Sequence, residues 1–467
     1  MARSKWLLTS QSIPAALFAS AIGAQTTAPR SPRDSAPNDD ATRGGAAVVT
    51  AVDSLRLRVQ ELERAIQARS TQGPPTTFTL DSTGFRVASG DGRYQIRLRG
   101  YFQSDGRFFQ DDILRPAPDA LLLRRVRPIW EATVGSRLDL RLMPDFGEGR
   151  TTLYDAYMDL RLTRTLLVRT GKFKPPIGLE RLQSATDLAF LERAHPTSLA
   201  PNRDVGIQVQ GALFGSLATY SVGFFDGVAD IAMGDGDQDD HKDFISRVFF
   251  TPLASTSLGK DAELGLGMAM SHGGREGSAT STLLPVYRSP GQQSVFVYRS
   301  DGTAAGTTVA DGTHRRVAPQ GYFYAGPLGT MVEYTRSSYG VRRGTESASL
   351  DQVAWQVTGS WLLTGERASY RGILPRRPFD PTRGQWGAFE VALRATELAV
   401  DDDAFPVFAD PNTQVRRATS AGAAFNWYLN RGVRLQVNYL VTRYAGGALI
   451  GNREPEHAVM TRLQHSF

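Results

Sequence analysis

The sequence predicts an all-β fold, a 16-stranded antiparallel transmembrane β-barrel with a short N-terminal helical coiled-coil segment. From residue 93 onward, polar and apolar residues alternate with period two, as in strands that have one apolar face. No apolar run after the N-terminus is long enough for a transmembrane helix. The last strand, 457–467, has one mostly apolar face and ends in Phe467, which is typical of a barrel strand between lipid and a wet lumen.

The composition limits the chemistry. The 467 residues include no cysteine, which excludes thiol catalysis and cysteine-ligated metals. A secreted chain without disulfides needs another stabilising device, and a closed hydrogen-bonded barrel provides one. The net charge is +6, and only five of the 53 basic residues are lysine. The arginines supply forked donors that suit oxyanions.

The N-terminus predicts export. Arg3 and Lys5 precede an apolar stretch, and Ala21 or Ala24 offers a cleavage position, so residues 1–24 are interpreted as a signal peptide. A short membrane anchor is the alternative. Residues 25–47, rich in Ala, Thr, Pro, Asp and Gly, are predicted to be a flexible linker.

A heptad pattern follows in residues 48–72. Val52, Leu55, Val59, Leu62 and Ile66 are spaced three and four residues apart, which predicts a coiled coil of just over two repeats. The alternative is an amphipathic helix that packs on its own barrel. So short a coil would be marginal alone, and it is expected to rely on barrels that already associate.

The barrel is assigned to residues 76–467. Aromatic residues near apolar-face strand ends, such as Trp427 and Tyr439, favour interfacial girdles over a soluble sandwich. Short turns at one end and longer loops at the other fit a barrel whose termini both lie in the periplasm; residues 364–385 are the one long connection on the periplasmic side. The predicted strands are 93–102, 125–134, 137–144, 153–160, 166–174, 205–213, 218–225, 244–251, 263–271, 315–324, 329–337, 353–363, 386–396, 420–429, 433–444 and 457–467.

Short blocks of sequence then indicate a family. They are 171–180 (Gly-Lys-Phe-Lys-Pro-Pro-Ile-Gly-Leu-Glu), 190–193 (Phe-Leu-Glu-Arg), 201–206 (Pro-Asn-Arg-Asp-Val-Gly), 361–367 (Trp-Leu-Leu-Thr-Gly-Glu-Arg) with Tyr370, 425–430 (Phe-Asn-Trp-Tyr-Leu-Asn) and 462–464 (Arg-Leu-Gln). Taken together, they resemble the phosphate-selective porin O/P family over roughly residues 90–467.

The resemblance implies a sixteen-stranded outer-membrane barrel, usually a trimer, whose third outer loop folds inward. It also implies that the segment after the Leu-Thr-Gly-Glu block enters the lumen from the periplasm, which would account for the long connection at 364–385. In the best-known members, phosphate selectivity is associated with lysine ladders in the lumen, whereas lysine is scarce here.

Strand parity gives the candidate pore residues. A ring of guanidinium groups would attract anions and replace part of their hydration. The alternative is that the arginines pair with carboxylates such as Glu131, Asp155 or Asp159 and only hold the barrel in shape. The strand arginines predicted to face the lumen are Arg97, Arg99, Arg127, Arg141, Arg394, Arg434 and Arg462.

The two non-strand segments supply further candidates. Within 175–204, Arg181 and Arg193 are predicted to line the narrowest aperture, and Glu180, Glu192 and Arg203 to latch the loop to the wall. The long periplasmic segment predicts a basic funnel, with a plain solvated loop as the alternative; its residues are Arg367, Arg371, Arg376 and Arg377.

These patterns predict an outer-membrane porin for passive diffusion of small anions, with phosphate or polyphosphate as candidates. A general porin for sugars or amino acids and an envelope tether acting through the coiled coil are the alternatives. No enzyme motif, metal, cofactor or nucleic-acid partner is predicted. The expected partners are outer-membrane lipid, two further copies of the chain, small anions, and the assembly machinery that would bind the strand ending in Phe467.

Overall fold

The computed structural model describes residues 50–64, 75–110, 118–163, 165–237, 239–254 and 256–467. The chain divides into two compact units, residues 1–72 and 73–467. The predicted signal peptide and linker lie outside the described residues. Residues 50–64 are helical, within the segment predicted as a coiled coil, and Val52, Leu55, Val59 and Leu62 are exposed. Their pairing with another helix stays a prediction.

The second unit is built from strands, with one short α-helix, Leu179–Leu182, among its described residues. Among the described residues, no helix has the length and apolar character needed to cross a membrane. The strands are β1 (Thr77–Asp81), β2 (Gly84–Ala88), β3 (Gln95–Gln110), β4 (Ala120–Val134), β5 (Leu138–Asp145), β6 (Thr152–Arg161), β7 (Leu166–Phe173), β8 (Asp204–Leu213), β9 (Ala218–Phe225), β10 (Asp243–Phe250), β11 (Ala262–Glu276), β12 (Tyr287–Arg288), β13 (Ser294–Phe296), β14 (Val309–Ala325), β15 (Leu328–Arg343), β16 (Glu346–Leu362), β17 (Ala388–Ala399), β18 (Val415–Tyr428), β19 (Val433–Gly446) and β20 (Glu456–Ser466).

Sixteen of these strands, β3–β11 and β14–β20, form a closed antiparallel barrel. Closure occurs between the first and last of them, where Tyr101 lies opposite Ser466 and Gln110 opposite His457. A closed barrel satisfies the backbone groups of every strand and leaves no edge in the lipid. The predicted sixteen-stranded barrel is therefore confirmed.

Side chains alternate across the wall as the period-two pattern predicts. On β15, Val332 and Tyr334 point outward and are 43% and 38% exposed, whereas Met331, Glu333 and Thr335 are buried inside. The outer face is apolar because it meets lipid, and the inner face is polar because it meets water or the segments that fill the lumen.

Several strands run further outward than predicted. The segments predicted as 329–337 and 353–363 extend as β15 and β16 and meet in a tight turn at Gly344, where φ is 60°. Beyond the membrane the outward face no longer needs to be apolar, and apolar side chains such as Tyr339 and Leu350 face inward instead, so the two faces exchange character while the strand pairing continues.

A hairpin, β1 and β2, precedes the barrel and was not predicted. It adds to the periplasmic end of β3, with Phe85 opposite Leu98 and Ala88 opposite Gln95. The Arg97 guanidinium donates to the Thr83 carbonyl at 3.0 and 3.2 Å, which fixes the hairpin turn at the mouth of the barrel.

The C-terminal residue is tied to the wall by two backbone hydrogen bonds. The amide of Phe467 donates to the Gly100 carbonyl, and the amide of Gly100 donates to the Phe467 carbonyl, both at 3.0 Å. Deleting Phe467 removes both bonds and the aromatic ring, whereas Phe467→Ala removes only the ring. If the ring is the assembly signal, both variants should lose most heat-modifiable barrel in the outer membrane. Normal assembly of Phe467→Ala would contradict that role.

Candidate functional site

A continuous cavity of about 830 Å³, the channel, runs along the inner face of β3–β7. At the periplasmic end Ser82 and Phe467 line it. Further residues lining it include Ile231 and Gln292, from the outer loops 226–242 and 277–308. The channel is therefore off-centre, on one side of the barrel.

The opposite side of the outer lumen is filled by apolar side chains. Tyr287, Phe296 and Tyr298 from loop 277–308 pack with Phe408 from loop 400–414 and with Tyr339 of β15. The two loops also share backbone bonds, including one of 2.8 Å from the Arg299 amide to the Phe408 carbonyl. The open space of the lumen is therefore on the β3–β7 side.

The third outer loop, residues 174–203, folds into the barrel. Pro175 and Pro176 end β7 because proline has no N–H for the strand ladder, and Gly178 turns the chain with φ of 79°. The loop then reaches the far wall. The Leu191 amide donates to Asn438 of β19 at 2.7 Å, and the Leu179 amide donates to Glu333 of β15 at 2.6 Å.

The channel lining is strongly basic. The acidic side chains in it are Asp155, Asp187 and Glu192. Fourteen basic side chains line the same space, and such an excess attracts anions into a narrow aqueous path. They are Arg97, Arg99, Arg124, Arg125, Arg127, Arg141, Arg169, Lys174, Arg181, Arg193, Arg203, Arg371, Arg431 and Arg434.

Several wall arginines are paired, as the alternative interpretation expects. Arg99 binds Glu131 through two bonds of 2.6 and 3.0 Å, and Arg141 bridges Glu131 and Asp155 at 2.9 and 3.2 Å. Arg127 binds Asp145 at 2.8 Å. These pairs brace the wall and leave little net charge for a solute.

Arg394 and Arg462 face the barrel interior but lie beneath the third outer loop, outside the channel lining. Arg462 holds Asp105 through two bonds of 2.7 Å and donates to the Leu191 carbonyl at 2.8 Å. Arg394 donates to the Glu192 carbonyl at 2.9 Å. Both arginines therefore support the loop and are not among the residues that line the channel, in contrast to the prediction from strand parity. Arg434, which donates to the Leu188 carbonyl at 3.0 Å, does reach the channel.

Three cations of the third outer loop have no carboxylate partner within 4.0 Å among the described residues, and all three line the channel. Lys174 donates to the carbonyls of Leu182 and Gln183 at 3.2 and 3.0 Å. Arg193 donates to the carbonyls of Glu180 and Gln183, both at 2.8 Å. Arg181 donates to the Thr197 carbonyl at 2.6 Å and to Asn202 at 3.1 Å. These bonds orient the cations without cancelling their charge.

Two buried glutamates of the same loop connect it to the rest of the barrel. Glu192 accepts two bonds from Arg124, at 2.6 and 3.1 Å, and lies 3.4 Å from Arg125 and 3.7 Å from Arg462. Glu180 accepts from the Ala194 amide at 2.7 Å and from Gln356 of β16 at 3.3 Å.

Arg203 binds Asp155 of β6 at 3.1 Å. These contacts have the geometry that a latch requires.

Only part of the predicted periplasmic funnel reaches the channel. Arg371 lines it, whereas Arg367 donates to the Gly259 carbonyl at 3.2 Å, and Arg376 and Arg377 are exposed outside the lining. The segment does enter the barrel: the Tyr370 hydroxyl donates to the Leu179 carbonyl at 2.7 Å. Of the four arginines predicted to form the funnel, Arg371 is thus the one that lines the channel.

Residues 96–467 match the family model "Phosphate-selective porin O and P". The chain belongs to this family. Family and fold make it an outer-membrane channel of a Gram-negative bacterium rather than an enzyme. No curated protein sequence matches the chain.

Solved structures share the fold at low identity. The outer membrane channel DcaP of Acinetobacter baumannii is 13% identical, with a TM-score of 0.54 over 82% of this chain and 100% of that one. An anion-selective porin from Comamonas acidovorans is 12% identical, with a TM-score of 0.51 over 80% of this chain and 100% of that one. At such identity the likeness describes the barrel alone.

Sequence reasoning missed several channel residues of this porin. Arg124 was not predicted to face inward, because its neighbour Arg125 already has that parity. A β-bulge between β3 and β4 skips Arg124 in the register, so both side chains reach Glu192. Arg169 was overlooked although it has a lumen position; it binds Asp159 at 2.7 Å and stacks on Tyr157.

Proposed function

We propose that this porin lets small anions diffuse passively across the outer membrane through the channel. The observation that carries the proposal is the lining, where basic side chains outnumber acidic ones fourteen to three. Several of the basic side chains pair with carboxylates, but Lys174, Arg181 and Arg193 have no carboxylate partner within 4.0 Å among the described residues. No energy source is needed, because the fixed charge only lowers the barrier for anions relative to cations.

The narrowest and most selective part of the path would be the third outer loop. Lys174, Arg181 and Arg193 project into the channel with their positions fixed by carbonyl oxygens and with no carboxylate partner among the described residues. An anion that sheds water there would gain charge-assisted hydrogen bonds in exchange. A cation would gain nothing and would meet three like charges.

Phosphate is the candidate solute within this class. Its tetrahedral oxygens match several converging donors, and guanidinium groups bind such oxyanions through forked bonds. Arg181 and Arg193 supply such groups on the third outer loop, and a bound phosphate would exchange with some of the oxygens that their donors now contact. Family membership adds support, although the lining holds one lysine, Lys174, beside thirteen arginines.

The arrangement of aromatic rings disfavours a sugar path. Sugars stack on open aromatic faces, but five of the six rings in this lining have a guanidinium group over them, Phe467 at the periplasmic end being the exception. The guanidinium of Arg127 lies 3.7 Å from the Tyr154 ring centroid, and that of Arg169 lies 4.0 Å from Tyr157. Phe190 is buried beneath Arg394 and is outside the channel.

We also propose that the protein is a homotrimer, as its family resemblance implies. The strands β5, β7, β9 and β10 hold eight residues each, whereas a strand exposed to lipid needs about 9–11. These short strands make the barrel wall low on this side, and a low wall suits contact with neighbouring copies better than contact with lipid. The measurement is the mass of the complex in mild detergent.

Conductance of the purified protein in planar bilayers tests the anion proposal. In a KCl gradient, the reversal potential should show a preference for chloride, and millimolar phosphate should reduce the chloride current if phosphate binds in the channel. Chloride preference without block by phosphate would support an anion channel and contradict phosphate as its solute. Weak or cation selectivity would favour a general porin, and no current would favour a tether.

Deleting residues 25–75 separates the porin from the tether. The deletion ends before β1 begins at Thr77, so the hairpin and the barrel are retained. We expect unchanged single-channel conductance and ion selectivity, measured in bilayers beside the full-length protein. Trimers that persist after the deletion would show that the helical segment is not needed for assembly, and loss of conductance would contradict the proposal that the barrel acts alone.

A further inference from the structure

The outer face of the barrel carries a groove that the channel function does not use. It is shallow, about 540 Å³, and lies on the wall β16–β19. Small outward side chains, Ala395, Ala421 and Ala423, form its floor beside Gly359, and larger neighbours form its sides. Those neighbours are Val357, Leu393, Tyr439 and Val441.

Strand register places a charged row directly above the groove, toward the outer loops. Ala421 is opposite Val441 in the groove, and two residues further out Thr419 is opposite Arg443. One more step outward is Arg417, opposite Ala445. In the same direction on β17, Ala395 is followed by Glu397.

The two arginines are available to a ligand. Arg417 is 59% exposed and lies 3.8 Å from Glu397, which is too long for a strong pair. Arg443 is exposed, and within the described part of the chain its side chain has no hydrogen bond or ion pair. The Glu397 carboxylate is also engaged by the Thr419 hydroxyl at 2.7 Å.

The position corresponds to the membrane's outer boundary. Below the groove, the outward row Trp361, Phe425 and Val437 continues the apolar band toward the periplasm. On β19 the outward side chains change here from the apolar Val441 to the charged Arg443. Because a charged side chain on the lipid face is costly within the hydrocarbon and much less so near the interface, this change places the arginines at the head-group region.

We propose that this groove, with Arg417 and Arg443 above it, is a binding site for a phosphate-bearing lipid of the outer leaflet. An acyl chain would occupy the groove and the lipid phosphate would accept charge-assisted bonds from the two guanidinium groups. In a bilayer an apolar groove alone gives little preference, because lipid tails are everywhere. The phosphate contact therefore supplies the specificity and the groove supplies the position.

A second copy of the chain is the competing occupant. The opposite wall of the barrel, on β3–β7, is better suited to contact with a second copy than the β16–β19 groove is. A groove of similar size lies on β3–β7, around Trp130, Leu142 and Met158, beside the low wall. The basic residue of β7 near it, Lys172, is buried in an ion pair with Asp235 and is not offered to lipid. Of these two grooves, the one on β16–β19 is the one that combines an apolar slot with exposed arginines.

Lipid titration of the delipidated full-length protein, followed by native mass spectrometry, tests the site. The probes are lipid A and its dephosphorylated form. Arg417→Gln with Arg443→Gln should weaken lipid A binding by about tenfold and leave the dephosphorylated probe unchanged. Ala395→Leu with Ala421→Leu fills the groove and should weaken both probes.

Matched controls use the same changes elsewhere on the outer wall. Arg315→Gln removes an exposed outward arginine on β14, and Ala156→Leu fills the β3–β7 groove. Neither should alter binding, and heat modifiability reports that every variant is folded. Equal binding of the two probes by the wild-type protein would overturn the proposal. So would full lipid A binding by the double arginine variant, or dissociation of the oligomer on filling the β16–β19 groove without loss of lipid.

Discussion

Replacing Lys174, Arg181 and Arg193 together by glutamine should remove most of the anion preference of the channel. At about 4 Å, a unit charge changes the energy of an ion by about 1 kcal/mol even in water, which is about fivefold in rate. The three cations act together and have no carboxylate partner among the described residues. We therefore expect the chloride-to-potassium permeability ratio, from reversal potentials, to fall by at least about fivefold.

The matched control removes three charges that do not line the channel. Arg137, Arg315 and Arg336 are exposed, outside the lining, so their triple glutamine variant has the same net charge. Its selectivity should stay near that of the wild type. Equal loss in the two triple variants would show that net charge decides selectivity, and no loss in either would assign it to the paired wall arginines.

A charge-conserving variant separates ion selectivity from phosphate binding. Arg181→Lys with Arg193→Lys keeps both charges but replaces forked guanidinium groups with single ammonium groups. Chloride preference should survive, whereas block by phosphate should weaken if it depends on forked bonds. Unchanged phosphate block would show that point charges suffice.

The strands were predictable because lipid imposes a simple rule on them. Every outward residue within the membrane must be apolar, so the alternation in segments such as 433–444 predicts a strand. In the structure this strand, β19, runs from Val433 to Gly446. The rule lapses at both ends of the barrel. The outer parts of β15 and β16 lie beyond the apolar band, and their apolar side chains, such as Tyr339, face inward. The strands of the hairpin β1–β2 have five residues each, too few to match a membrane-spanning strand.

The site was less predictable because parity gives the direction of a side chain and not its partner. Arg127 and Arg462 have the same parity and the same chemistry, yet one lines the channel and the other lies under the third outer loop. The difference depends on where residues 174–203 cross the lumen, which is a contact between distant parts of the chain. Lys174 shows the same limit: it follows the last residue of β7, where parity no longer applies.

Neutralising Glu192 should be the most destabilising single change in the barrel interior. The Glu192 carboxylate is 4% exposed and neutralises a group of guanidinium groups at 2.6 to 3.7 Å. Removing one partner from a buried ion pair costs about 3–5 kcal/mol, because the remaining charges stay buried. The four groups belong to Arg107, Arg124, Arg125 and Arg462.

We expect Glu192→Gln to lower the free energy of unfolding by about 3–5 kcal/mol in a denaturant titration in detergent. The isosteric amide keeps the shape, so the loss reports charge. Glu148→Gln is the matched control, since Glu148 binds the same Arg124 at 3.1 Å but its side chain is 32% exposed. That change should cost less than about 1 kcal/mol.

The Glu192→Gln variant also tests whether Glu192 only holds the third outer loop in place or also influences the ion selectivity of the channel. If Glu192 only holds the third outer loop, Glu192→Gln should loosen the loop and raise conductance for both ions. If its charge also tempers the basic lining, chloride preference should rise while conductance changes little, because Arg124 and Arg125 line the channel. Combining Glu192→Gln with Arg124→Gln measures their coupling directly. If the double variant regains the stability of the wild type but not its ion selectivity, the Glu192–Arg124 pair determines stability and the remaining guanidinium groups determine selectivity.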